Sequence, residues 1–487
     1  MPAPKNFLII TQVFSPDPAA VGQYFDEAAQ AIAGTGASVT VLTANRGYDN
    51  PDERFASKEN RDGIRIRRLP LSSFGKASIP VRIFAQLSFL VQCILRGLFT
   101  PKLTDLLVST SPPMAAITAV IIGLFRPKLK VHYWVMDINP DQAVILGAFK
   151  PRHPLVLALD WLNRRILNRA DSIIALDRFM AKRLRAKYDS GKVGSEEHVD
   201  DKTGRSANRT KYESARSTPP EQPSHLHTFP HSNSSKADIT IIPPWPMDDY
   251  LETVPHAENA FREKQGWTDK FVVMHSGNHS LVHPLDTILD AAEKLKGDPR
   301  FVFAFIGGGK GKQVVDARIA QLNVERCSLN EESAATNNKQ QTTNNLISLP
   351  YQPLDQIKYS LSAADLHIVS LGDDMSGIVH PCKIYGALSI GRPVLTLGPK
   401  ESYLSDIIKK EDRSQKSEVS QETDRAIGYA IQHGDVDAAV AALKAAAGQT
   451  QQERAAIGQR AQQIATKKFG RTQLVQQFLT TVLNPED

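Results

Sequence analysis

The chain is poor in cysteine, holds no long uncharged apolar run and has no basic stripe, and each shortage removes a class of protein. Cys93, Cys327 and Cys382 are the three thiols in 487 residues, and their spacing is unpaired. That argues against a disulfide framework and a Cys-rich zinc site, and makes a reducing cytoplasm the expected home. The first ten residues lack a basic n-region, a long apolar core and a cleavage site, so no secretion signal is expected. The most apolar helix candidate, residues 79–99, is interrupted by Arg82 and Arg96 and falls short of the roughly 20 uncharged residues a membrane span needs. A net charge of +6 is mild for this length, and with no aromatics interleaved among clustered Lys and Arg, a nucleic-acid partner is not expected. No Ser/His/Asp or Cys/His constellation suggests a nucleophile.

What is present is an alternation of short apolar strands and helix candidates. Residues 7–11 read as a strand, 21–32 as a helix closed by Gly34 and Gly36, and 38–43 as a second strand, which together form a βαβ unit. Strands follow at 64–69, 106–109, 130–136, 172–176 and 237–242. Pro243, Pro244 and Pro246 then stiffen an exit suited to a domain linker. A second series runs through 271–275, 301–306, 346–349, 366–370 and 393–397, and 425–482 reads as helical. At 487 residues two domains are the natural expectation. The alternation predicts two doubly wound α/β halves with a ligand cleft at the carboxyl ends of their strands. Residues 189–236, 327–344 and 409–424 are polar or low in complexity, bury too little apolar surface to offset ordering entropy, and read as disordered insertions.

The most informative segment is 369–398, which reads as strand, polar loop, helix, Gly turn and strand. Its loop, 372–381, would deliver backbone N–H groups to a helix N-terminus, a favourable place for a diphosphate, and Lys383 would add a full charge there. Residues 381–394, Pro-Cys-Lys-Ile-Tyr-Gly-Ala-Leu-Ser-Ile-Gly-Arg-Pro-Val, resemble the Pro-Ser-Lys-Leu-Tyr-Gly-Ile-Leu-Ala-Ala-Gly-Arg-Pro-Val signature of a branch of the family 4 glycosyltransferases, the branch of exopolysaccharide, colanic-acid and O-antigen enzymes. The resemblance implies an α/β GT-B fold, two Rossmann-like doubly wound domains facing a cleft. It implies an acceptor-side domain over 1–243, a nucleotide-sugar domain over 247–468, and a C-terminal helix, 469–487, packing back on the first domain.

The resemblance also implies site residues. Gly22, in the first strand-to-helix loop, would reach toward the donor phosphates, although a helix-start glycine without a ligand explains it equally well. Gly277, Asn278 and His279 follow the first strand of the second half and would border the donor, with His279 near the place where the family often carries Arg or Lys. That departure makes Lys383 the main cation. Gly307 and Gly308 would help form the base and ribose pocket; their run lacks Walker A spacing, so ATP hydrolysis is not expected. Ser376 and Gly377 would offer N–H groups to the diphosphate or sugar, and Tyr385 belongs to the same donor-side signature. Gly386 stands where many members carry a ribose-binding Glu, which leaves ribose recognition unassigned.

Asp137 and Asp141, after the strand at 130–136, would orient or deprotonate an acceptor hydroxyl, although an acid at a loop-to-helix junction caps helices just as often. The family often has His where this chain has Met136, so no catalytic histidine transfers. His275, His279 and His283 lack a metal-motif partner, and Asp373-Asp374 stands beside a cation-neutralised site, so neither a metal nor a cofactor is expected. The implied reaction is hexosyl transfer with retention from a nucleotide sugar, UDP-linked, to a glycan or polyprenyl-linked acceptor in surface polysaccharide assembly. It would take place in the cytoplasm at the inner face of the membrane. Residues 79–102 suit either an interfacial helix, with Arg82, Arg96 and Lys102 at anionic headgroups, or a buried core helix. A sugar-nucleotide epimerase of the same architecture and a non-catalytic partner subunit are the alternatives.

Overall fold

The computed structural model describes residues 5–17, 19–47, 52–72, 79–189, 238–246, 251–334, 345–409 and 427–483. The chain first builds β1 (Asn6–Ile10), α1 (Ala20–Gly34), β2 (Ser38–Ala44), β3 (Lys58–Arg61), β4 (Ile64–Leu69), α2 (Ile79–Phe99), β5 (Asp105–Ser109), α3 (Ala116–Phe125) and β6 (Lys130–Trp134). It continues through α4 (Asp141–Ile145), α5 (Pro154–Arg169), β7 (Ser172–Ala175), α6 (Arg178–Asp189) and β8 (Ile239–Ile241). These strands form one sheet in the order β3-β4-β2-β1-β5-β6-β7-β8, parallel except for the β3–β4 hairpin. Most of its strands, such as Phe7, Leu8, Ile9 and Ile10 of β1, are apolar at successive positions because helices cover both faces.

Past Trp245 the chain forms α7 (Ala260–Lys264), β9 (Phe271–Asn278), α8 (Asp286–Lys294), β10 (Phe301–Gly308), α9 (Lys310–Ala334), β11 (Leu346–Leu349), α10 (Ile357–Ser362) and β12 (Leu366–Ser370). It ends with α11 (Lys383–Ser389), β13 (Val394–Leu397), α12 (Tyr403–Lys409), β14 (Gly428–Ile431), α13 (Val436–Gly448), α14 (Gln451–Phe469) and α15 (Arg471–Leu483). This second sheet is wholly parallel, in the order β11-β10-β9-β12-β13-β14.

Three sequence expectations change. The stretch 425–482 is not helical throughout: residues 428–431 add β14 to the sheet edge, where Gly428 lets the backbone pass close to Val394. The segment 327–344 does not begin an insertion, because the backbone of α9 continues to Ala334; residues 335–344 lie outside the described residues. The expectations for 190–236 and 410–424 also lie outside them. β3 was not anticipated. Its Lys-Glu-Asn-Arg has no apolar residue, and it is held by the turn at Asp62 and Gly63, both at positive φ (51° and 81°).

The two sheets share one apolar core, which includes Phe25 and Trp134 from the first unit and Ile378, Ile384 and Tyr385 from the second. The C-terminal helices lock the arrangement. Thr450 and Glu453 close a capping box at the start of α14, which packs on α11. α15 packs against α1, and its Phe478 ring sits 4.9 Å from Trp134 and 6.1 Å from Trp245. Arg471 pairs with Glu27 at 3.2 Å, and Trp245 donates its indole N–H to the same carboxylate.

Candidate active site

Lys383 is the first residue of α11, half-buried in the cleft between the sheets. Among the described residues its ammonium has no ion-pair or hydrogen-bond partner, and burial pushes its pKa down to about 8. A buried cation without a counter-charge is costly unless a ligand supplies one. The stem of Lys383 lies against the end of β9, where a Cβ on Gly277 would be 3.1 Å from Lys383 Cε.

The ends of β9 and β10 approach each other as closely as backbones can. Gly307 is in register with Gly277, both have positive φ (133° and 117°), and a Cβ on Gly307 would lie 2.0 Å from the Gly277 carbonyl oxygen. Only glycine fits there. Gly308 meets the Tyr351 ring, and exposed Asn278 sits over Gly309.

Next to this edge three histidines keep buried ring nitrogens without partners. His275 donates through Nδ1 to Ile368 O at 3.1 Å and His279 through Nδ1 to Gly277 O at 3.0 Å, while among the described residues His275 Nε2, His279 Nε2 and His283 Nδ1 remain unpaired. Burial holds all three well on the neutral side, His279 down to about 4, and the Lys383 charge adds to the effect. They are neutral rings beside a cation, and the free nitrogens of His275 and His279 can only accept; among the described residues no group of three or more His, Cys, Asp or Glu is placed to hold an ion.

Asp137 stands across the cleft, after β6. Its backbone N–H donates to Thr110 Oγ1 at 3.1 Å, its carboxyl has no partner among the described residues, and burial raises it to about 6. Its charge reaches Cys382, whose thiol burial pushes up to about 12 and which lies within hydrogen-bond reach of Tyr24. Asp137, Tyr24, Cys382 and Lys383 therefore bring both units to one place.

Other expected residues are used differently. Asp141 pairs with Lys187 at 2.8 Å, and Lys187 also holds Asp160, so this acid fastens α4 to α6 and α5 rather than standing free. Tyr385 is 2% exposed, and its hydroxyl is spent on His380 Nε2 and Tyr403, each at 2.7 Å, while His380 Nδ1 meets Asp177 at 2.8 Å. Gly377 faces the first unit, since a Cβ would sit 2.6 Å from the Phe179 backbone, and the Ser376 carbonyl accepts from Arg183 Nε at 2.9 Å. Gly22 lets α1 pack on Val13 and Phe14, which a Cβ would approach to 3.0–3.1 Å.

The helix-dipole expectation weakens too. α11 has seven residues, and the N–H groups of Cys382, Ile384 and Tyr385 bond to His380, Pro381 and Cys382 within the turn. Sequence reading missed His380, Asp177, Tyr24 and the site role of Cys382. The one available signal was that Cys382 occupies the serine position of the signature and His380 lies in the loop before it.

Two facing, mainly parallel α/β units with their strand ends at a shared cleft define the GT-B fold. It is the fold of sucrose-phosphate synthase from Thermosynechococcus elongatus, to which the chain is 12% identical with a TM-score of 0.64, covering 97% of each chain. Anabaena HepE in complex with UDP and glucose gives 14% identity and a TM-score of 0.62 over 98% of this chain and 99% of that one. Residues 19–193 match the glycosyl transferase 4-like domain, so the resemblance of 381–394 to family 4 is met by an independent match in the first unit. The relatives include "Probable glycosyltransferase WbjE" of Pseudomonas aeruginosa, 26% identical over 170 residues, which are 35% of this chain and 38% of that protein. They also include the colanic acid biosynthesis glycosyl transferase candidate WcaI of Escherichia coli (strain K12), 24% identical over 156 residues, or 32% of this chain and 33% of that protein. The chain thus matches little more than a third of the length of these curated relatives.

Proposed function

We propose that the chain is a glycosyltransferase that moves a hexosyl group, with retention, from a UDP-linked sugar to a hydroxyl of a glycan or polyprenyl-linked acceptor in surface polysaccharide assembly. The observation that carries this is the unpaired Lys383 beside the glycine edge of Gly277 and Gly307, with unpaired Asp137 across the cleft. As the bond from sugar C1 to the diphosphate oxygen breaks, Lys383 stabilises the charge growing on the diphosphate. Asp137 orients the acceptor hydroxyl toward the same face of C1 that the diphosphate oxygen leaves, which keeps the configuration, and accepts its proton as the new C1–O bond forms. The cation does this without a divalent ion or cofactor. UDP is favoured because HepE was captured with UDP and glucose.

The acceptor side is supported by an apolar surface. α2 buries Ala85, Phe89, Leu90 and Cys93 but exposes Ile83, Phe84, Leu87, Val91, Leu95 and Phe99. It packs on α3, whose Leu124 and Phe125 are exposed at 75% and 71%, and α3 packs on α5 with exposed Trp161. With Arg96 and Lys102 on the same segment, this face suits the cytoplasmic surface of an anionic membrane carrying the acceptor. No helix among the described residues is long and apolar enough to cross a membrane.

Turnover of UDP-glucose and related nucleotide sugars, measured with and without polyprenyl-linked acceptor, tests the reading. Acceptor-dependent release of UDP supports it. Acceptor-independent conversion of the sugar would mean an epimerase, and no turnover with nucleotide bound would mean a partner subunit.

A further inference from the structure

At the end of the second sheet opposite the cleft, the starts of β9, β12 and β13 and the first turn of α14 enclose a cavity of about 570 Å³. Its lining includes Arg262, Lys270, Arg392 and Arg454, with Phe271 as an aromatic wall. The buried acid is Asp365, 4% exposed, which accepts from Arg262 Nη1 at 3.0 Å and lies 3.7 Å from Arg454 Nε. Asp269 is an exposed second acid, and Arg300, which also lines the cavity, is neutralised by Asp298 at 2.6 Å. Apart from that pair, four cations line the cavity with two carboxylates, one of them in solvent.

Much of this cluster is structural. Arg262 also donates to Ala363 O and Lys270 O, Arg392 to Ser362 O and Val254 O, and Arg454 to Gln449 O, with the Arg454 guanidinium 5.5 Å from the centre of the Phe271 ring. The hydrogen bonds do not complete it, however. Arg262 is 3% exposed, yet its Nε and that of Arg392 have no partner among the described residues. His256, held down to about 4 by burial and by Arg392, adds no charge of its own. Excess positive charge in a low-dielectric recess is unfavourable unless an anion enters. The volume is that of a small-molecule site rather than an ion hole, and Phe271, Pro393 and Ala447 provide apolar walls for a ligand body.

We propose that this cavity is a second ligand site, separate from the sugar-transfer cleft, for a phosphorylated small molecule of about hexose size, its phosphate held by Arg392 and Arg454 and its body set against Phe271. The first residue of α14, Gln451, also lines the cavity.

Calorimetry on the full chain, with inorganic phosphate and glucose 6-phosphate as probes at constant ionic strength, tests the site. Repeating it in Lys383→Ala removes the cleft's own phosphate attraction. Saturable binding is expected in both backgrounds, tighter for glucose 6-phosphate, and weakened roughly tenfold or more by Arg454→Gln. Gln451→Glu is the second variant: it places a negative charge at the cavity from an exposed helix start that tolerates acids, so loss of binding there does not reflect misfolding. Absence of saturable binding, binding lost with Lys383 alone, or binding indifferent to Gln451→Glu would each overturn the site. Equal affinity for phosphate and glucose 6-phosphate would overturn the place assigned to the ligand body.

Discussion

The buried acids at the two ends of the second sheet, Asp365 at one and Asp137 facing the other, are treated in opposite ways. At the amino ends of its strands the buried acid Asp365 is fully paired, gathering Arg262, Arg454, the Val272 N–H and a nearby His256, although the Nε groups of Arg262 and Arg392 beside it are not satisfied among the described residues. At the carboxyl ends Lys383, Asp137 and the outer nitrogens of three histidines are left without partners among the described residues, and their pKa values are shifted by burial. Groups that fasten a fold complete one another. Groups that bind a ligand are kept incomplete, at a cost in stability that the ligand offsets. Asp137 and Asp141 repeat the lesson four residues apart, one acid free and the other ion-paired.

The comparison can be broken most sharply at Asp365. Asp365→Ala leaves Arg262 buried without its counter-charge and is expected to cost about 3–5 kcal/mol of stability, read by urea denaturation. Lys383→Ala should do the reverse: an unchanged or raised midpoint, since a buried unpaired charge is removed, with kcat/KM for the donor down by about 100-fold. Gly307→Ala drives a Cβ into the Gly277 carbonyl and displaces the edge that supports Lys383. A fall in kcat/KM of roughly tenfold or more is expected, with little change in acceptor KM.

The pH profile sharpens the same contrast. Asp137 must be ionised to accept a proton, so kcat/KM rises as the pH passes about 6; Lys383 must stay charged, so it falls as the pH passes about 8. Asp137→Asn should remove the acid limb and leave the alkaline one. Asp141→Asn is expected to do least, about 1 kcal/mol or less of stability and no change in either limb, because its ion pair with Lys187 is partly exposed.

Much of this architecture was legible because apolar strand runs and helical periods are local signals. The strands at 64–69, 346–349 and 366–370 coincide with the observed ones to the residue. β3 was not legible from hydrophobicity, since its polar residues are held by pairing with β4, and β14 was hidden because an alanine-rich stretch masks a short edge strand. In the site, Lys383 and Asp137 could be named from motif and strand-end position. Whether each was free or paired depends on residues far away in sequence: Lys187 for Asp141, Asp177 for His380, Phe179 for Gly377. Sequence spacing carries no information about such partners, so Tyr385 looked like a donor contact when its hydroxyl closes an internal chain.

The central claim is that the cleft is kept incomplete for a nucleotide sugar held by Lys383. Calorimetric titration of UDP-, GDP- and dTDP-sugars into the native chain and into Lys383→Ala tests it most directly. Selective binding of UDP-sugars, constant below about pH 7, weakening as Lys383 loses its proton above about 8, and lost in the variant, is the predicted result. Folded protein that binds no nucleotide sugar, or binds one equally well without Lys383, would contradict it.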